Sequence, residues 1–136
     1  MELNDILEQC INGQCSFKIG DCLSCVTSNI PNGYGVYCIY ANSANGELLY
    51  IGKGGTVNAD GTLKGQQLRK RLNNKQDKQK REKYFVERMK SEHLEILIIK
   101  WYILKDSSIL PAFLEAMLIQ AYFEKNKKLP RWNKSF

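Results

Sequence analysis

The chain has 136 residues, 43% of them hydrophobic and 25% charged, with a formal net charge of +6. That length suits one domain with one modest core, and the composition is that of a soluble globular protein. The N-terminus, MELNDILEQC, has acids and no long apolar core, so no secretory signal is visible, and the longest apolar run, residues 109–123, is broken by Glu115 and Gln120, a pattern wrong for a membrane span. Five cysteines without a signal predict reduced thiols and a cytoplasmic location.

The positive charge favours a polyanionic partner. It is concentrated: residues 64–90 hold eleven Lys or Arg against three acids (Asp77, Glu82 and Glu87), and that surplus of eight exceeds the net charge of the whole chain. Such a block is either the footprint of a phosphate-backbone binder or a solvated helix face.

Leu3, Ile6, Leu7, Cys10 and Ile11 share one helical face, which predicts a helix over 3–11 with Gly13 as its stop. Cys10, Cys15, Cys22 and Cys25 lie close in sequence, and the last two form Cys-Leu-Ser-Cys. A Zn²⁺ site there is set aside, because the spacing matches no standard ribbon or finger and Cys10 belongs to an apolar face. A redox role for the Cys-Leu-Ser-Cys motif is set aside for want of a thioredoxin-like βαβ context.

Residues 28–35 are a turn cluster, and Val36, Tyr37, Cys38, Ile39 and Tyr40 read as a strand. Asn45-Gly46 supplies a turn pair that tolerates positive φ, and residues 48–51 form the return strand. A hairpin symmetric about Ser43 and Ala44 sets Tyr37 opposite Tyr50 on one face, unless a bulge intervenes.

A glycine-rich polar loop spans 52–65, after which Leu68 and Leu72 stand at helical spacing around Arg69, Lys70 and Arg71. A second helix is predicted over 77–91, with Tyr84, Phe85, Arg88 and Met89 inward. Residues 93–104 read as a long, central third strand. Ser107 or Ser108 is the predicted cap of a last helix over about 110–125, with Pro111 near its first turn.

The fold class that follows is α+β: a small antiparallel sheet of three or more strands flanked by helices. Residues 1–32 form an N-terminal helix and Cys-rich extension packed on a module at 33–136.

Glu115 needs explaining. In residues 109–123 only Glu115 and Gln120 are polar, so the helix is largely buried, and a buried carboxylate needs a partner. A salt bridge to Arg or Lys and a metal site at the floor of a cleft both answer this. Tyr37 and Tyr50 are open to two readings as well, ordinary hairpin packing or one wall of a site. The glycines after Tyr50 favour the second, since glycine lets a ligand approach the backbone.

Together these residues resemble the GIY-YIG nuclease superfamily. Gly35-Val36-Tyr37 matches its first signature with Val for the usual Ile, and Tyr50-Ile51-Gly52 matches its second, followed by Lys53. Arg71 in LRKRL matches the family's arginine before an apolar residue, Glu115 its later glutamate, and Asn133 in LPRWN its terminal asparagine. The matched order covers residues 33–136 and is specific because five elements recur in sequence. The longer stretch between Gly52 and Leu68 resembles restriction-type members, and it leaves Arg69 and Arg71 as alternatives. The two point about 200° apart on a helix, so only one can enter a cleft.

The resemblance implies a GIY-YIG-like α/β sandwich and a metal-dependent DNA endonuclease, acting as a monomer or homodimer without a membrane partner. A non-catalytic nucleic-acid-binding module using the same cleft is the alternative. It implies that Glu115 holds Mg²⁺, for which Mn²⁺ can substitute, and that Tyr50 orients or deprotonates the attacking water with help from a nearby cation. Tyr37 would bond the same water or the scissile phosphate, and Arg71 would bind the phosphate. Asn133 would fix the Glu115 helix or contact the DNA backbone. Gly52, Lys53, Arg69 and Lys70 would bind substrate. The lone His93 falls outside the matched motif and is read as a strand-end residue.

Overall fold

The computed structural model describes residues 2–76, 79–106 and 108–136. Helix α1 (Leu3–Gln9) runs straight into strand β1 (Ile11–Phe17), and a single turn, α2 (Leu23–Val26), precedes strands β2 (Gly35–Ala41) and β3 (Leu48–Gly54). Two small ribbons follow, β4 (Thr56–Val57) with β5 (Leu63–Lys64), and β6 (Lys75–Gln76) with β7 (Gln79–Lys80). Helix α3 (Leu68–Leu72) lies between them. Helix α4 (Arg81–Glu92), strand β8 (Leu97–Ile103) and helix α5 (Pro111–Asn126) complete the chain.

The main sheet has four antiparallel strands in the order β1-β8-β2-β3. On one face Tyr37, Ile39, Ile99 and Trp101 meet Leu68 and Leu72 of α3 and Phe85 and Met89 of α4. On the other, Val36 and Cys38 meet Ile6 and Cys10 around α1, and Leu114 and Ile119 of α5. Each aliphatic or aromatic side chain so enclosed contributes roughly 1.5–3 kcal/mol. The architecture is α+β with helices on both faces of the sheet, and β8 is central as its β-branched run predicts. Among the described residues no helix is long and apolar enough to cross a membrane.

Strand β1 was not foreseen. The predicted helix over 3–11 ends at Gln9, and Gly13, read as a stop, is the strand residue opposite Trp101. A Cβ on Gly13 would stand 2.4 Å from the Trp101 ring, so this glycine makes room for an indole. Of the seven strand residues only Phe17 is buried, which leaves no alternation strong enough to mark a strand. Part of the N-terminal extension is thus an edge of the main sheet.

The hairpin register also differs. Tyr37 pairs with Gly52, and Tyr50 with Ile39, because a bulge interrupts the ladder between Ile39 and Tyr40. The positive φ falls on Asn42, at 66°, and on neither Asn45 nor Gly46. Asparagine tolerates that region, and the Asn42 Oδ1 accepts the backbone N–H groups of Glu95 at 2.9 Å and Ile96 at 3.3 Å. The turn is therefore set by its anchor to the approach of β8. Gly46 is needed for space: a Cβ there would meet the Ala41 carbonyl oxygen at 1.9 Å.

Helix α5 begins at Pro111 with Leu110 at the N-cap and no side-chain cap. Ser108, one of the two predicted caps, instead donates its hydroxyl to Asp106 at 2.6 Å within the preceding turn. Ser107 lies outside the described residues, as do Asp77 and Lys78 at the start of the predicted second helix.

Candidate functional site

A cavity of about 350 Å³ opens beside β3, which forms one edge of the sheet. Tyr50, Gly52 and Lys53 of β3, Arg71 of α3 and Glu115 of α5 line it, together with Gly55, Thr56, Gly65 and Gln66. These last residues sit at the base of the β4–β5 ribbon. The long loop predicted at 52–65 is thus a short hairpin whose tip is tied by Asp60, which accepts from the backbone N–H and hydroxyl of Thr62 at 3.0 and 2.7 Å.

The electrostatics of the cavity are mixed. Burial pushes the Glu115 carboxyl above its ordinary range, and the positive charges of Lys53 and Arg71 pull it back. Among the described residues no ion pair reaches Glu115, so the salt-bridge reading gives way to a half-buried carboxylate held near two cations. Lys53 donates to the Gly55 carbonyl at 3.2 Å, which ties its ammonium to another residue of the cavity lining.

The choice between the two arginines is decided by direction. Arg71 lines the cavity. Arg69 turns away and donates to the Ser28 carbonyl at 2.9 Å. With Lys70 it lines a neighbouring depression that shares Gly65 and Gln66 with the first.

Tyr37 and Tyr50 lie on one face with ring centroids 5.8 Å apart, although they are not directly opposite. The parity of the register is kept, so the shift moves Tyr50 to a diagonal position without turning it to the other face. Their environments differ. Tyr50 borders the cavity, whereas Tyr37 is wholly enclosed and its hydroxyl hydrogen-bonds the Arg81 guanidinium. Burial raises the Tyr37 phenol above its usual value, and Arg81 opposes this. Tyr37 is therefore a buried support behind Tyr50, where contact with water or phosphate had been expected.

Arg81 escaped the sequence reading. Its guanidinium is buried against both tyrosine rings, 5.8 Å from the Tyr37 centroid and 5.7 Å from that of Tyr50. Such desolvated cation–π contacts contribute about 2 kcal/mol. The signal for it was present: extending the α4 face that holds Tyr84, Phe85 and Met89 back by one turn reaches residue 81.

The glycines after Tyr50 serve the protein's own packing. A Cβ on Gly52 would stand 2.6 Å from the Tyr37 ring, one on Gly54 would meet the Leu68 backbone at 2.9 Å, and one on Gly55 would meet the Tyr34 ring at 2.5 Å. The first leaves room for the buried tyrosine across the strand, the second brings α3 and its arginine close to β3, and the third, at φ 107°, leaves room for the Tyr34 ring.

The Asn133 side chain is bonded to β3. It accepts from the Ile51 N–H through Oδ1 and donates to the Ile51 carbonyl through Nδ2, both at 2.9 Å. The neighbouring Trp132 N–H donates to the Leu49 carbonyl at 2.8 Å. The tail thus occupies the open edge of β3 on either side of Tyr50. His93 is the exposed left-handed C-cap of α4, with φ of 57°.

No family model, curated protein or solved structure matches the chain.

Among the described residues no group of three or more His, Cys, Asp or Glu side chains stands together as a metal cage. The sheet itself divides the N-terminal cysteines, with Cys10 in the α1–α5 layer and Cys15 on the opposite face. A single carboxylate beside open space is a different donor set. It matches a hard cation that keeps most of its waters and takes further oxygen ligands from a phosphate. Glu115 fits that description.

Proposed function

We propose that the chain is a metal-dependent DNA endonuclease of the GIY-YIG type. The observation that carries this reading is the convergence of Tyr50, Lys53, Arg71 and Glu115, from three separate elements, on one cavity. A phenol, two cations and a carboxylate can together supply the water positioning and charge neutralisation that phosphodiester hydrolysis needs.

In this reading the Tyr50 phenol oxygen orients the attacking water, whose oxygen bonds to phosphorus and gives up a proton to solvent as the bond to the leaving oxygen breaks and that oxygen takes up a proton from solvent. Arg71 spans two phosphate oxygens with its planar fork as negative charge gathers there. Lys53 offsets charge on the same group from the other side. Glu115 would hold a Mg²⁺ ion, which when bound supplies Lewis-acid stabilisation of the phosphate. Arg81 and Tyr37 hold the Tyr50 ring from behind. Arg69 and Lys70, in the adjoining depression, bind the neighbouring stretch of backbone.

The test is nicking of supercoiled plasmid with and without Mg²⁺. Metal-dependent nicking that Glu115→Ala and Tyr50→Phe abolish is expected. A wild-type protein that binds DNA but cuts no form of it would convert the reading to that of a binding module. Cleavage untouched by both substitutions would leave the activity and remove the assigned site.

A further inference from the structure

We propose that Cys22 and Cys25 form a redox-active dithiol that closes to an intramolecular disulfide on meeting a small-molecule disulfide. The proposal is independent of the nuclease reading, and it restores, on the exposure of both thiols, the redox role that the missing βαβ context had set aside. Of the five cysteines, Cys10 and Cys38 are buried and Cys15 is half-buried, whereas Cys22 and Cys25 are both exposed. Cys22 is the N-cap of α2 and its carbonyl accepts from the Cys25 and Val26 N–H groups, each at 3.0 Å. One helical turn therefore brings the two exposed thiols onto the same side of α2. The Ser24 hydroxyl adds a second polar contact to the Cys22 sulfur at 3.1 Å.

The turn is braced. The Leu23 N–H donates to the Glu82 carboxylate at 2.7 Å, and the Thr27 hydroxyl donates to the Leu23 carbonyl at 2.7 Å while accepting from Asn73 at 3.0 Å. Glu82 and Lys80 are the charged groups that share the surrounding depression.

The thiols are not equivalent. Hydrogen bonds from the Cys25 and Ser24 side chains lower the Cys22 pKa, with Glu82 opposing more weakly, while the bond to Cys22 raises that of Cys25. Burial holds Cys15 up at about 11 and Cys38 at about 12, so neither is a competing nucleophile near neutral pH. Two exposed thiols of unequal acidity, one turn apart, are the arrangement that thiol–disulfide exchange uses.

The Cys22 thiolate attacks one sulfur of a disulfide RSSR and expels RS⁻, leaving a mixed disulfide. Cys25 then loses its proton to solvent, and its thiolate attacks the Cys22 sulfur and expels the second RS⁻. Two cysteine thiols are oxidised by two electrons, and RSSR is reduced to two RSH.

The reduced native chain is treated with oxidised glutathione, quenched by alkylation and read by peptide mass spectrometry. The wild type is expected to yield the 22–25 disulfide, Cys25→Ser to stop with one glutathione on Cys22, and Cys22→Ser to react about tenfold more slowly. Both side chains are exposed, so serine leaves the fold intact. No reaction, a wild-type product that stops at a glutathione adduct, or equal rates for the two variants overturns the proposal.

Discussion

The Arg81 guanidinium donates a hydrogen bond to the Tyr37 hydroxyl inside the core, with both residues almost wholly shielded from water. Removing one member takes from the other its buried hydrogen-bond partner. Tyr37→Phe is expected to lower stability by about 1–3 kcal/mol, since a buried charged donor then lacks its acceptor. Replacing both, as Tyr37→Phe with Arg81→Met, should cost less than the sum of the singles. Urea denaturation of the four proteins in a double-mutant cycle measures this, and additive losses would show that the pair is not coupled.

Gly52 carries a second expectation. The Tyr37 ring occupies the place of a side chain at that residue, with a Cβ standing 2.6 Å from it. Gly52→Ala should cost about 1–3 kcal/mol through overpacking, and Tyr37→Leu should relieve part of that cost. Thermal melting of the single and double variants reads the difference.

Glu115 gives a pH signature. Burial raises its carboxyl, with Lys53 and Arg71 opposing. A carboxyl whose folded pKa lies above the unfolded one binds more protons in the native state, so stability falls as pH rises between the two values. The penalty is absent below the unfolded value of about 4.3 and complete above the folded one. Glu115→Gln should therefore melt higher than wild type at neutral pH without metal, and the gain should vanish in acid. Added Mg²⁺ should raise the melting temperature of wild type alone. Scanning fluorimetry across pH and metal concentration tests both statements.

Asn133 fastens the edge of β3 beside Tyr50 through two bonds to Ile51. Asn133→Ala is expected to cost about 1–3 kcal/mol by leaving backbone groups of the strand without partners. Hydrogen exchange should show the Ile51 amide, protected in wild type, becoming labile.

Within the proposed nuclease, the two arginines of α3 should behave differently. Arg71 borders the cavity, whereas Arg69 is bonded to Ser28. Arg71→Ala should reduce nicking by about 10²–10³, the loss expected when a transition-state cation is removed. Arg69→Ala should weaken DNA binding and leave the saturated rate near that of wild type. Rates at saturating and limiting DNA separate the two effects.

The sequence by itself determined the elements with strong local signals. β-Branched and aromatic content marked β2, helical spacing marked α1 and α4, and the β-branched run within 93–104 marked the central strand. Glu115 stood out because a lone carboxylate in an apolar helix conflicts with its surroundings, and such a conflict is visible without knowing any partner. The tertiary structure alone decided what depends on residues distant in sequence. The tyrosine register follows a bulge and an asparagine turn anchored to the approach of β8. Strand β1 is polar and one-sided, and forms only because β8 offers it a ladder. The partners of Arg81 and Asn133 lie 44 and 82 residues away. Periodicity records which side of an element is buried, because neighbours on a helix or strand share that side. It carries no record of which distant group fills the space opposite.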